Sequence, residues 1–176
     1  IVTEQNNITV TDCASPGVYI TQKDVSKKSA DITVKVKLDN AGLQPAAVTL
    51  ENTIYTQEGQ KVGTHSRSFD LSPQGTQTYL STFKLKNPHL WQGRKDPYLY
   101  KVVTTVLEGQ KVLDEVVQPL GIRKFEIVGG DGFYLNGEKY PMYGVCRHQD
   151  WWGIGSALKN EHHDFDLAAI MDIGAT

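Results

Sequence analysis

Between residues 17 and 123 apolar side chains recur at every second position, in short runs cut by turn residues. That period puts one face of each run against a core and the other toward water, which is the pattern of half-buried antiparallel strands. Residues 30–40 carry it most plainly: Ile32, Val34, Val36 and Leu38 point one way, and Thr33, Lys35 and Lys37 point the other. Further strands are expected at residues 17–22, 46–56, 61–71, 76–85, 98–107 and 112–118. Asp39-Asn40-Ala41-Gly42, Glu58-Gly59-Gln60, Ser72-Pro73-Gln74-Gly75 and Glu108-Gly109-Gln110 supply the turns between them. Seven short strands with no helix among them predict an immunoglobulin-like β-sandwich over residues 1–122. No Cys…Trp…Cys pattern is present, so apolar packing alone must close this core.

The chain has 176 residues, room for one domain and part of another. Its net charge of −2 gives no electrostatic reason to expect a nucleic-acid partner. The lysine groups Lys23, Lys27, Lys28 and Lys35, Lys37 have acidic neighbours and read as solvated faces. Cys13 and Cys146 are expected to be separate thiols, with no disulfide framework and no paired metal spacing. No apolar run is long enough for a membrane span. Residues 1–7, IVTEQNN, lack the charged and apolar regions of a signal peptide. These features leave the location unknown, with a cytoplasmic and a periplasmic setting both open.

Near Arg123 the pattern changes. Phe125-Glu126-Ile127 and Phe133-Tyr134-Leu135 flank Gly129-Gly130-Asp131-Gly132, and Asn136-Gly137 turns the chain into Tyr140-Pro141-Met142. An Asn-Gly pair between apolar runs predicts a hairpin. Residues 142–146 are short and continuously apolar, as a strand covered on both faces is, and they end on Arg147, His148, Gln149 and Asp150. Residues 161–173 read as a helix, with Phe165, Ala168, Ala169 and Met171 or Ile173 at helical spacing. Glu161 and Asp164 lie near its start, and Gly174 is its expected C-cap. Strand, loop and helix make the first βα unit of a parallel α/β domain over residues 123–176. A polar cluster at the C-terminal end of such a strand is where barrel enzymes place chemistry.

Three stretches together resemble glycoside hydrolase family 2, and the β-galactosidases within it. Gly17-Val18-Tyr19-Ile20-Thr21 with Lys23-Asp24-Val25-Ser26 resembles the opening of that family's immunoglobulin-like domain. Leu90-Trp91-Gln92-Gly93, Asp96-Pro97-Tyr98-Leu99-Tyr100 and Gly121-Ile122-Arg123 resemble its last strands. Phe133-Tyr134-Leu135-Asn136-Gly137, then Tyr143-Gly144-Val145-Cys146-Arg147-His148-Gln149-Asp150, resemble the entrance to the family's catalytic (β/α)₈ barrel. The resemblance implies a slice of a retaining glycosidase acting on terminal β-linked sugars, most simply β-galactosides. It also implies that both catalytic glutamates are expected downstream of Thr176, so this slice is expected to be structural and inactive alone. Asn160-Glu161 lies too early in the barrel to be the family's Asn-Glu acid/base pair. The resemblance gives His148 a place in the sugar subsite. Arg147 and Asp150 beside it are further substrate-binding candidates, Arg147 bracing the loop or pairing with a barrel carboxylate. Cys146 stands where the family usually has asparagine, and a thiol replaces neither the donors nor the acceptors of an amide.

Other readings of the same residues compete. Cys146, His148, Asp150, His162, His163 and Asp166 suit zinc by type, but no H-x-x-x-H spacing occurs, so no metal and no cofactor are expected here. Trp91 is expected to pack at the end of the sandwich, and Trp151-Trp152 to contact sugar or another domain. Expected partners are an oligosaccharide substrate, other domains of the same protein and a second copy joined through the apolar tail. That tail carries Val145, Phe165, Ile170 and Met171, which must be covered or disordered. The contrasting function is a stand-alone immunoglobulin-like adhesion module. Such a module has no use for the strand–loop–helix pattern after Arg123.

Overall fold

A computed structural model describes residues 8–175, so the leader expectation at residues 1–7 lies outside the described residues. The chain divides into two compact units, Ile1–Gln92 with Asp96–Lys124, and Gly93–Lys95 with Phe125–Thr176.

The first unit holds β1 (Ile8–Val10), β2 (Val18–Lys23), β3 (Ser29–Asn40), β4 (Ala46–Tyr55), β5 (Lys61–Leu71), β6 (Gly75–Lys86), β7 (Tyr100–Glu108) and β8 (Lys111–Leu120). β1 and β2 lie end to end along one edge of β3, and β6 pairs with its other edge. The second sheet runs β5-β4-β7-β8. All pairings are antiparallel. Strand alternation turns Ala30, Ile32, Val34, Val36 and Leu38 of one sheet and Val48, Leu50, Ile54, Val102 and Val106 of the other into one shared apolar cluster. Each fully buried Val, Leu or Ile side chain contributes about 1.5–3 kcal/mol. The immunoglobulin-like sandwich expected from the alternation is therefore present, with a short strand, β1, that the pattern did not reveal.

In the second unit β9 (Phe125–Val128), β10 (Gly132–Leu135) and β11 (Glu138–Lys139) form an antiparallel sheet with β10 in the middle. The Asn136-Gly137 turn joins β10 to β11 with both residues at positive φ, 52° and 85°, which the right-handed strand twist favours in a two-residue hairpin. Asp131 accepts from Lys139 Nζ at 2.6 Å and from the Tyr134 hydroxyl, tying the β9–β10 loop to β10 and β11.

One expectation is corrected here. Residues 142–146 form no strand. A continuously apolar strand exists through the ladders of its neighbours, and none of the described sheets includes this segment. The helix follows as expected, as α1 (Asn160–Asp172). It ends in a Schellman turn: Gly174, at φ 85°, donates to the Met171 carbonyl at 3.0 Å, and Ala175 donates to the Ile170 carbonyl at 3.3 Å. No helix of the described residues is long and apolar enough to cross a membrane.

Candidate functional site

The polar cluster after residue 146 is organised by α1. Arg147 Nε donates to Asp166 Oδ2 at 2.7 Å, and its NH2 lies 2.6 Å from the same oxygen. The NH2 group also meets His163 Nδ1 at 3.0 Å, a contact in which the guanidinium can only donate. His163 and Asp166 stand one turn apart on one helix face, so the helix presents both to a single guanidinium. Arg147 and Asp166 are largely shielded, with about a fifth of each side chain exposed (20% and 23%), so this pair is better insulated than a surface ion pair. Arg147 is thus paired with a carboxylate of the helix that follows it, Asp166.

Three residues beyond His148 the chain is anchored again. Asp150 is followed by Trp151, whose backbone exchanges hydrogen bonds with Gly155 at 3.0 and 2.9 Å, making a tight turn. The Trp151 ring packs on His162 and Phe165 of α1, with centroids 5.0 and 5.5 Å away. His148, Gln149 and Asp150 thus form a short exposed loop with both ends fixed to the same helix. His148 and Asp150 make no hydrogen bond or ion pair with any described residue. The structure therefore brings Arg147 together with Asp166 and His163, and leaves His148 and Asp150 as free groups beside that brace rather than as part of it.

The remaining candidates are spent elsewhere. His162 Nδ1 accepts from the Lys159 N–H at 3.0 Å, capping the start of α1. With His162 on the cap, and His163 and Asp166 on Arg147, three of the six donors of the zinc reading are already engaged. No three His, Cys, Asp or Glu side chains converge among the described residues. Cys146 is an exposed free thiol. Trp91 is half-buried in the first unit under the Arg123 guanidinium, 5.1 Å from its ring centre, in a packing role. Trp152 is 96% exposed. His163 and Asp166 were foreseen only as metal candidates, although their i, i+3 spacing on a predicted helix is the signal for a shared partner.

The sequence profile of Glycosyl hydrolases family 2 matches residues 16–123, more than half of the chain. The chain belongs to this family. A β-glucuronidase of Bacteroides fragilis is 36% identical over 99% of the chain and 25% of its own length. Among solved structures, a Bacteroides fragilis protein provisionally named a β-galactosidase is 87% identical with a TM-score of 0.93, over 97% of this chain and 26% of that one. The β-glucuronidase of Bacteroides uniformis is 30% identical with a TM-score of 0.90, over 96% and 21%. The chain thus spans about a quarter of the length of these relatives.

Proposed function

We propose that this chain is the part of a retaining family 2 glycosidase that joins its immunoglobulin-like sandwich to the first βα unit of its catalytic barrel. The whole enzyme removes a terminal β-linked sugar by double displacement through two carboxylates carried on later barrel strands. The chain holds neither carboxylate, uses no cofactor or metal of its own, and does not turn over alone. Its contribution to the site is His148, which meets sugar hydroxyls, with Asp150 beside it and Arg147 as the brace. The observation that carries this is the pinning of residues 148–150 at both ends on α1, which holds two free polar side chains in place.

We favour a β-galactoside as substrate because Arg147 is already committed to Asp166 and offers no free guanidinium to a uronate carboxylate. A β-glucuronide is the second reading, favoured by the named activities of the Bacteroides fragilis and Bacteroides uniformis relatives. The test is hydrolysis of chromogenic β-galactoside and β-glucuronide by the full-length protein that contains this chain. The expected result is activity on the galactoside, reduced about a hundredfold in kcat/KM by His148→Ala. Hydrolysis of the glucuronide alone would replace the sugar assignment. An unaltered kcat/KM in the variant would remove His148 from the site, and turnover by residues 1–176 alone would overturn the assignment of the chemistry to other strands.

A further inference from the structure

An edge strand with open hydrogen-bonding groups is a template for another strand, and sandwiches commonly blunt their edges. Here β8 carries Pro119 and a register shift at Val106/Leu107, and its Asp114 carboxylate accepts the Val10 N–H of β1 at 2.7 Å. The ladder of β5 is shifted at Ile54/Tyr55. On the far edge of β3 the run is broken between Val10 and Val18. Strand β6 has none of these devices. Its 12 residues contain no proline and pair with β3 without a break from Gly75 to Lys86.

The direction of its free groups follows from the ladder. Asn87 donates to the Lys28 carbonyl at 2.9 Å, one step beyond the Ser29–Lys86 pair. In an antiparallel ladder alternate residues face the partner, so the odd residues of β6 turn their backbone groups to β3. Thr76, Thr78, Leu80, Thr82 and Lys84 therefore turn theirs to the other edge, which no described strand pairs with. The same five side chains stand on the exposed face, with Leu80 62% exposed at their centre.

We propose that the open edge of β6 pairs with the β6 edge of a second copy, about a two-fold axis at Leu80. In this register Leu80 faces Leu80 of the second copy, Thr78 faces Thr82, and Thr76 faces Lys84. Every one of these is a pair whose N–H and C=O groups point at each other, so each exchanges both bonds. Threonine pairs and an apolar pair are favourable cross-strand neighbours. The charges are also complementary. Lys84 of one copy arrives at Thr76 of the other, whose hydroxyl donates to Asp39 Oδ1 at 2.7 Å, while the two Lys84 side chains lie at opposite ends of the pair. The interface is isologous and closes on itself, giving dimers rather than filaments. None of this depends on the catalytic reading, and it differs from the tail-mediated association expected from sequence.

Sedimentation velocity over a range of concentrations tests it, with amide exchange as a second reading. The wild-type chain is expected to form a dimer that slows exchange at Thr78, Leu80 and Thr82. The double variant Thr78→Lys with Thr82→Lys sets like charges directly opposite twice and should raise the dimer dissociation constant about tenfold or more. Thr78→Lys with Thr82→Glu sets opposite charges there instead and should restore the dimer. Both pairs of changes lie on the exposed face, and circular dichroism verifies that the sandwich persists. A chain that is monomeric throughout, or a dimer indifferent to these variants, overturns the proposal.

Discussion

Asp12 shows how one side chain can hold a junction. It sits between β1 and β2, where its carboxylate takes Lys37 Nζ at 2.6 Å, the Tyr19 hydroxyl at 2.5 Å and the Cys13 N–H at 2.8 Å. Lys37 leads these donors in holding the Asp12 pKa down at about 2, from an ordinary 3.8. A depressed carboxylate stabilises the fold above its unfolded pKa and loses that contribution as pH falls through the folded value. The junction should therefore loosen between about pH 4 and pH 2. An NMR titration of the Asp12 carboxyl should give a midpoint near 2, and a midpoint near 3.8 would show that the network is not formed in solution. Gly17 closes the same junction at φ 74°, and a Cβ there would stand 2.6 Å from the Thr11 backbone nitrogen. Because backbone cannot swing aside as a side chain can, Gly17→Ala should cost about 2 kcal/mol or more in urea unfolding. Neither effect was legible in the sequence, since β1 is too short for alternation to register and Gly17 reads there only as the start of a strand.

At the scale of strands, alternation revealed nearly everything in the sandwich, including what does not look like core. Asn52 falls between Leu50 and Ile54 on the inner face of β4, and Thr104 between Val102 and Val106 on that of β7. Taken literally, the period buries both, and the structure buries both to within 1%. Thr104 Oγ1 donates to Asn52 Oδ1 at 2.6 Å, and Asn52 Nδ2 donates to Ser81 Oγ of β6 at 2.9 Å, so a polar thread crosses from one sheet to the other. Removing Asn52 leaves the buried Thr104 hydroxyl without its acceptor and Ser81 with only His65 Nδ1 at 3.4 Å. Asn52→Ala should thus cost about 2–4 kcal/mol by denaturant midpoint, while Asn52→Leu with Ser81→Ala and Thr104→Val should cost much less. Equal losses in the two variants would mean that packing volume, and not hydrogen bonding, is what this position supplies. Residues 142–146 show the opposite case. Their apolar run matches a buried strand in composition, but the ladder that makes a strand comes from neighbours, and local sequence carries no record of them.

For the whole molecule, the uneven placement of the core decides how stability is shared. Every buried apolar side chain named for the core lies in the first unit, apart from Leu135. In the second unit Phe165, Leu167, Met171 and Ile173 of α1 and its C-cap are all more than half exposed, so helix packing contributes little there. The Arg147–Asp166–His163 brace and the Trp151 contacts hold the loop to the helix but bury little apolar area. Local opening is governed by such burial, so the second unit should open at a free energy well below that of the sandwich. In hydrogen exchange of this chain, the amides of α1 should lose protection well before those of β3, β4 and β7. Asp166→Asn should speed α1 further and leave β3 unchanged, because the brace lies wholly within the second unit. If α1 and β3 instead exchanged together, with the same response to denaturant, the two units would be one cooperative body. The site loop at His148 would then owe its order to the sandwich core rather than to its own helix.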